Sequence, residues 1–527
     1  MPSVDLINKD LSGVLIEDEK YTDVGSGVFQ LNHDTILDSS NLEVWTGENK
    51  SGTQLSEGTD FALDTKIDVL SKEAVNDVYR YIEVINSDYE SGELYFTYDT
   101  VGDFVQAEDI NDIYNEYKAR GDMDLDGYNI KNIGSLKYKE TYGIHWNFET
   151  DTITRIEKSE GLTQSDFNSI YPWSDMRRCN LADNGTVNAY HGDVDYIEDG
   201  SNGQVMVEIP KFFYKRYNTS DGVIWLISEE EKEGFEVFPA FIRGGEVRDY
   251  IYIAAFEATL YDNSASNYVG DGVQYDYAND ILASVADLQP ISGDSYDLTR
   301  DNARQMASNR GEEWSQRDFW TTYAYQLLYL VEYANANWQS ALSEGITNLD
   351  SGSSNHGQNT GHTSSLGNDS GEVIISSLEN GATGATETYA CSYRGIENPF
   401  GNMWEFVDGL VIKDDGYYVT RDINNFNDTG DSYNHIPINP VTDNDGYIDN
   451  IIRETDIDLG FLGSSVNGSS STYLCDYQYS HDAGEVNIAL VGGRWNSGSR
   501  AGGCCWALSD VASGSSRAIS ARLQFVG

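Results

Sequence analysis

Cys504 and Cys505 stand side by side near the end of the chain, between Arg500 and Arg517. Thiols beside positive charge are the residue types of thiol redox chemistry, because the thiolate is the reactive form and nearby cations favour it. Consecutive Cα atoms lie about 3.8 Å apart, shorter than an unstrained disulfide prefers, so neighbours of this kind act more readily as two thiols than as a bridge. With Cys179, Cys391 and Cys475 they make an odd set of five without a C-x-x-C spacing. That pattern indicates neither a disulfide framework nor a zinc site, and buried thiols are expected.

Other chemistry-bearing residues are less ordered. Asp122, Asp124, Asp126 and Gly127 open like a calcium loop, but Ile133 stands where the closing glutamate belongs, so an EF-hand is not indicated. Calcium held as structural support in acidic loops, such as that around Asp443 and Asp445, stays open; no other cofactor is called for. The seven histidines show no H-x-x-x-H spacing, and His356 and His362 fall in a Gly- and Ser-rich stretch where solvated rings are expected. With 87 acidic residues, carboxylate pairs fit for glycoside hydrolysis occur everywhere and indicate nothing. Trp404 and Glu405, in GNMWEF, are expected in the core.

The elements that must position these residues follow from composition and pattern. Lys+Arg 33 against Asp+Glu 87 leaves a net charge of −54. Such a surface repels phosphate backbones, so nucleic acid is excluded as a partner. It also repels itself, which dense salt relieves by shortening the Debye length; a saline or halophilic setting is one expectation, and a particle protein kept soluble by charge is the other. No apolar run is long enough for membrane insertion, and MPSVDLINKDLSG lacks the plan of a signal peptide, so synthesis in a cytoplasm is expected. A chain of 527 residues with 50 glycines predicts several domains and turn-rich β structure.

Residues 1–104 alternate, as in YRYIEVI at 79–85 and ELYFTYD at 93–99, which predicts an antiparallel β domain. Over 105–120, Ile110, Ile113 and Tyr117 share one helical stripe. The stripe predicts either an oligomer neck or a helix docked on its own domain. A turn-like linker completes 105–138, and one large domain is expected over 139–527, with insertions at 351–388 and 420–485. VMVEIPKFFYKRY at 205–217 and DYIYIAAFEATLY at 249–261 are predicted strands. The stretch 314–338 predicts a helix capped by Ser315, with Asp318 at its third position and an apolar face of Phe319, Tyr323, Leu327, Leu330 and Val331. Residues 351–388, rich in Gly, Ser and Asn, predict a long surface excursion. The fold class is α+β and β-rich.

The closing segment from Gly492 to Gly527 mixes glycines and small residues with Trp495, Trp506 and spaced arginines. Glycines permit positive φ and close backbone approach, so the segment predicts a tight platform that displays short side chains on rigid turns. Trp506 and the arginines are residue types that anchor interfaces; alternatively Trp506 packs inward and Arg500 pairs with a local carboxylate.

IPKFFYK at 209–215, FPAFIRGGEVRDYIYIAAFEA at 238–258, the long helix, SYRGIENPFGNMWEFVDGL at 392–410 and the closing GGRWNSGSRAG, in that order, resemble the C-type-lectin-like domain of phage tail receptor-binding proteins. The same domain occurs in the variable proteins of diversity-generating retroelements and in the formylglycine-generating enzyme superfamily. The short MDLDGYNIKNIG at 123–134 is similar to an element of phage tail fibres. In the family ending, Gly492, Gly493, Trp495, Gly498, Ala501, Gly502, Leu508, Ser513, Ile519 and Arg522 match scaffold positions. Cys504 stands where Phe is usual, and Ser520 and Ala521 replace Gly and Phe.

The resemblance implies that Arg494, Asn496, Ser497, Ser499, Arg500, Cys505, Trp506, Ser509, Asp510, Gly514, Ser516 and Arg517 point to solvent and make a receptor-binding surface. Only Asn496 carries the asparagine signature of adenine-directed variation. The resemblance further implies a tail-fibre or tail-tip protein of a virion, made in the host cytoplasm. It would adhere to a host cell-surface receptor, protein or glycan, join other tail or baseplate proteins through the N-terminal domain, and assemble as a homotrimer. No catalysis is expected; a formylglycine-generating-type oxidase and a microbial surface adhesin are the alternatives.

Overall fold

The alternating stretch at 93–99 forms the strand Glu93–Thr100, which lies between Val14–Thr22 and Glu43–Gly47 in a four-stranded antiparallel sheet completed by Ser51–Leu55. The computed structural model describes residues 14–22, 28–30, 42–47, 51–55, 61–64, 81–84, 93–100, 140–453, 457–472 and 474–527. The stretch at 79–85 gives Tyr81–Val84, the middle strand of a second antiparallel sheet between Val28–Gln30 and Phe61–Asp64. Val44 and Leu55, paired in register, are buried. These strands belong to the first of two units, residues 1–135; the second is 136–527. The helical stripe expected over 105–120, and the acidic linker with Asp122, Asp124 and Asp126, lie outside the described residues.

Three larger sheets build the second unit. The predicted strand at 205–217 divides into Gln204–Pro210 and Phe213–Asn218, and each half enters a different sheet. The first lies in a six-stranded sheet with Tyr250–Ala254, Leu523–Phe525 and Trp314–Gln316; the second lies in a five-stranded sheet with Gly222–Ser228 and Thr141–Asn147. The eight-stranded sheet is centred on Trp404–Lys413, Asn487–Val491 and Trp506–Val511. The whole is a β-dominated α+β fold.

A buried helix from Phe319 to Tyr333 packs against the strands Trp404–Lys413 and Thr141–Asn147. Its cap is Asp318, whose carboxylate accepts the Thr321 N–H at 2.8 Å. Ser315, expected as the cap, instead lies in the strand Trp314–Gln316. Nor is the expected apolar stripe a stripe, since every residue from Phe319 to Glu332 is buried. Glu332, on another face of the helix, finds its partners inside, accepting from Arg394 at 2.7 Å and from the Tyr393 hydroxyl at 2.9 Å.

Charge is buried elsewhere in the same way. Glu405, 2% exposed, holds the guanidinium groups of both Arg317 and Arg522, the latter at 2.7 Å. Arg522 also donates to the carbonyls of Ala254, Ala255, Glu397 and Asn398, so the chain end is tied to two other segments.

The two stretches expected as insertions contribute buried residues and strands. Within 351–388, Asn355, Gln358, Thr360 and Thr363 are buried, and Gly371–Ile375 pairs with Thr388–Tyr393. Two of its polar residues hold buried polar groups: Thr363 donates to Glu397 through its amide at 2.6 Å and its hydroxyl at 2.7 Å, and the Gln358 backbone N–H donates to Asn402 Oδ1 at 2.8 Å. Within 420–485, Asn434–Ile436, Gly446–Tyr447 and Tyr477–Tyr479 are strands of the eight-stranded sheet. They are part of the scaffold.

Candidate functional site

The terminal turn is built on residues that cannot be larger. Gly492 and Gly493 have φ of 98° and 83°, and a Cβ on Gly493 would lie 2.9 Å from the Cβ of Ala501. Trp495 is the anchor: its ring is buried, its indole N–H donates to the Asp350 carbonyl at 3.0 Å, and its amide donates to the Asn402 carbonyl at 2.9 Å. Around this anchor Arg494, Asn496 and Ser497 are half-buried, and Ser499 and Arg500 are exposed.

After the turn, the strand Trp506–Val511 pairs antiparallel with Asn487–Val491 and parallel with Tyr477–Tyr479. Alternation sends Trp506 and Leu508 into the core and leaves Ala507 and Ser509 on the other face. A register shift opposite Ile488–Leu490 inserts an extra residue, which lets Asp510 follow Ser509 on that same face.

The two segments enclose a cleft of about 530 Å³ lined by Trp404, Tyr479, Arg494, Asn496, Ser497, Arg500, Ala507, Ser509 and Asp510. A row of aromatic rings runs from it: Trp404 to Tyr479 at 5.9 Å, Tyr479 to Tyr477 at 4.8 Å, and Tyr477 to Tyr447 at 5.1 Å. Tyr477 and Tyr479 share a face because they are two apart on a strand, with Gln478 buried between them. Arg500 lies over the Tyr477 ring at 5.0 Å and donates to the Tyr479 hydroxyl at 3.2 Å.

The electrostatics of the cleft differ from those of the surrounding protein. Among the described residues, Arg494, Arg500 and Arg517 form no ion pair; Arg494 donates to Asn496 Oδ1 at 2.8 Å, and Arg517 to the Gly352 carbonyl at 3.2 Å. Burial and, after it, the nearby Arg517 guanidinium depress the Arg494 pKa. Burial pushes the Asp510 carboxyl up, with Asp482 adding to the shift. Arg500, for which pairing with a carboxylate was one expectation, has an aromatic neighbourhood instead.

Of the twelve residues expected on a display surface, Arg494, Asn496, Ser497, Arg500, Ser509 and Asp510 line this cleft. Ser499 is exposed and its hydroxyl meets that of Tyr447 at 2.9 Å. Gly514 and Ser516 lie in the following loop, where the Ser516 carbonyl accepts the Gly293 N–H at 3.0 Å; both are half-buried and, like Arg517, are not among the cleft-lining residues. Two expectations are corrected: Cys505 and Trp506 are fully buried. The Trp506 ring, 6.1 Å from Phe319, occupies the inward parity of its strand, and Cys505 is held by backbone bonds to Gly492 and Gly502.

All five cysteines are free and buried. Burial pushes the thiols of Cys504 and Cys505 well up, with the Asp476 carboxyl adding to each shift, and that of Cys475 up to about 12. His356, expected in solvent, is 7% exposed and packs 6.0 Å from the Trp495 ring, while His362 meets Glu379 at 3.2 Å. Asp443 and Asp445 accept backbone N–H groups of Ala483 and Ser480. Among the described residues no group of three or more His, Cys, Asp or Glu side chains is placed to hold a metal ion.

Sequence reasoning missed the aromatic side of the cleft. Trp404 was expected in the core, where most of it is, yet it also lines the opening. Tyr447, Tyr477 and Tyr479 fell within the supposed insertion; the alternation in YQY was the available signal.

No protein-family model matches the chain, and no curated protein matches it. Similar solved structures include two variants of one protein. The Major Tropism Determinant P3c Variant aligns at 12% identity over 66% of this chain and 71% of its own, with a TM-score of 0.23. The Major Tropism Determinant U1 Variant aligns at 12% identity over 74% of this chain and 73% of its own, also with a TM-score of 0.23. Likeness at that level assigns no function to this chain.

Proposed function

We propose that this chain is a receptor-binding protein of a viral tail that adheres to the host cell surface through the cleft between the terminal turn and the Trp506–Val511 strand. The observation that supports this most is the convergence of Arg494, Asn496, Ser497, Arg500, Ser509 and Asp510, from two separate segments, around one opening. The turn beneath is fixed by Gly493 and Trp495, so the side chains above it can change without disturbing the fold. Arginines and aromatic rings are the groups that anchor interfaces. The mechanism is adhesion without turnover. Burial of both vicinal thiols supports adhesion over thiol oxidation, which needs an accessible thiolate.

In this reading the first unit joins the tail, and three copies of the chain act together so that weak contacts gain strength by avidity. The test uses labelled full-length chain on a panel of intact cells from low- and high-salt habitats. Wild type adheres to its host, and Arg500→Ala lowers adhesion at least tenfold with an unchanged urea midpoint. Adhesion indifferent to both Arg500→Ala and Ser509→Trp places the contact elsewhere. A wild-type chain that adheres to no cell but oxidises thiol peptides is an enzyme instead.

A further inference from the structure

We infer that the cleft takes a carboxylated sugar unit of a surface glycan, its carboxylate between Arg494 and Arg500 and its ring against Tyr479 and Trp404. The inference rests on the adhesion reading and adds to it the chemical class of the ligand.

Charge comes first. On a molecule of net charge −54, an arginine without an acidic partner is conspicuous, and among the described residues Arg494 and Arg500 both line one cleft without an ion pair. Arg494 is also partly desolvated and faces the field of Arg517, which is the condition an incoming anion relieves. Guanidinium groups match the planar geometry of a carboxylate, which they bind through two parallel N–H donors.

Shape and polarity narrow the anion to a sugar. The volume of about 530 Å³ lies within the range of small-ligand sites, about 300–1,000 Å³. Trp404 and Tyr479 give aromatic surface for the apolar C–H face of a pyranose ring. Ser497, Ser509 and Asp510 offer acceptors for ring hydroxyls, and the serines also donate. An acidic peptide would want an apolar recess for a neighbouring side chain, and the cleft lining has only Ala507 beyond its two aromatic rings. A bare phosphate would use the arginines alone and leave the aromatic row without a role.

The experiment measures binding of the full chain, at fixed ionic strength, to oligosaccharides of hexuronic and nonulosonic acids, to the methyl ester of each, and to inorganic phosphate. At least one acid binds, its neutral ester binds at least tenfold more weakly, and Arg494→Gln or Arg500→Gln lowers affinity at least tenfold while the urea midpoint holds. Arg500→Lys restores only part of the loss, because an ammonium lacks the planar fork. Equal binding of acid and ester, indifference to both arginine variants, phosphate binding as tight as the sugar, or no binding of any acid each overturns the inference. Adhesion of wild type to intact cells is measured in parallel. If it persists where sugar binding is absent, the adhesion reading stands and the ligand class alone is wrong; if it too is absent, both fall.

Discussion

The ring of Trp506 lies 6.1 Å from that of Phe319, tilted by 42°, and fastens the strand carrying Ser509 and Asp510 to the first turn of the central helix. Trp506 is therefore a packing residue whose removal opens a large cavity. Trp506→Ala is expected to lose about 3–5 kcal/mol of unfolding free energy, whereas Ser509→Ala stays within about 0.5 kcal/mol of wild type. Urea unfolding checks both. A Trp506→Ala chain with wild-type stability and lost adhesion would make the ring a contact and refute the burial account.

Glu405 supports two arginines at once, so its charge matters more than its size. Glu405→Gln keeps the shape and leaves Arg317 and Arg522 buried without a counter-charge, for which a loss of about 3–5 kcal/mol is expected. Because Arg522 bridges four carbonyls near the chain end, hydrogen exchange should speed up around 254–255 and 397–398 as well as at the substitution. Exchange confined to Glu405 itself would count against that bracing.

These pairings explain what the sequence could and could not tell. The β-rich α+β class, the strands at 79–85 and 93–99, and the glycine-braced turn were legible because alternation and positive φ are local properties. Trp506 was misjudged because its orientation depends on where the strand begins, which one residue decides. Asp318 displaced Ser315 as cap because the strand Trp314–Gln316 pairs with Leu523–Phe525, a partner more than two hundred residues away. Within 351–388, whose surface is largely exposed or half-buried, polar composition hid the buried Gln358 and Thr363, for which Asn402 and Glu397 supply partners inside. The Tyr447–Tyr477–Tyr479 row joins the cleft only through strand pairing that no spacing announces.

Asp476 makes stability depend on pH. It is fully buried, its Oδ1 has no hydrogen-bond partner among the described residues, and burial raises its pKa to about 8 against a donated Cys504 N–H at 2.7 Å. A carboxyl raised in the folded state stabilises fully below its unfolded pKa, near 4, and loses that contribution as pH climbs to about 8. The slope is at most about 1.4 kcal/mol per pH unit over that window. Asp476→Asn cannot ionise, so it should lose less stability than wild type between pH 5 and pH 7.5, by up to about 3 kcal/mol. Parallel urea titrations at the two pH values decide it; equal losses would mean the acid is ionised in the native protein.

Salt should stabilise this protein, which is the opposite of what its ion pairs alone would give. The excess of 54 negative charges stores repulsion that acts across the whole surface and is released on unfolding. Raising monovalent salt from about 0.1 M to 1 M shortens the screening length from about 10 Å to 3 Å, weakening that repulsion. Buried pairs such as Arg522 with Glu405 and Arg394 with Glu332 are screened far less, so they do not offset the gain. The expected result is a melting temperature that climbs with sodium chloride, most steeply below about 0.3 M, where the screening length changes fastest. Salting-out instead grows in proportion to concentration, so the shape of the curve separates the two causes. A flat or falling melting temperature over that range would show that surface repulsion is already neutralised, and the saline setting would lose its physical basis.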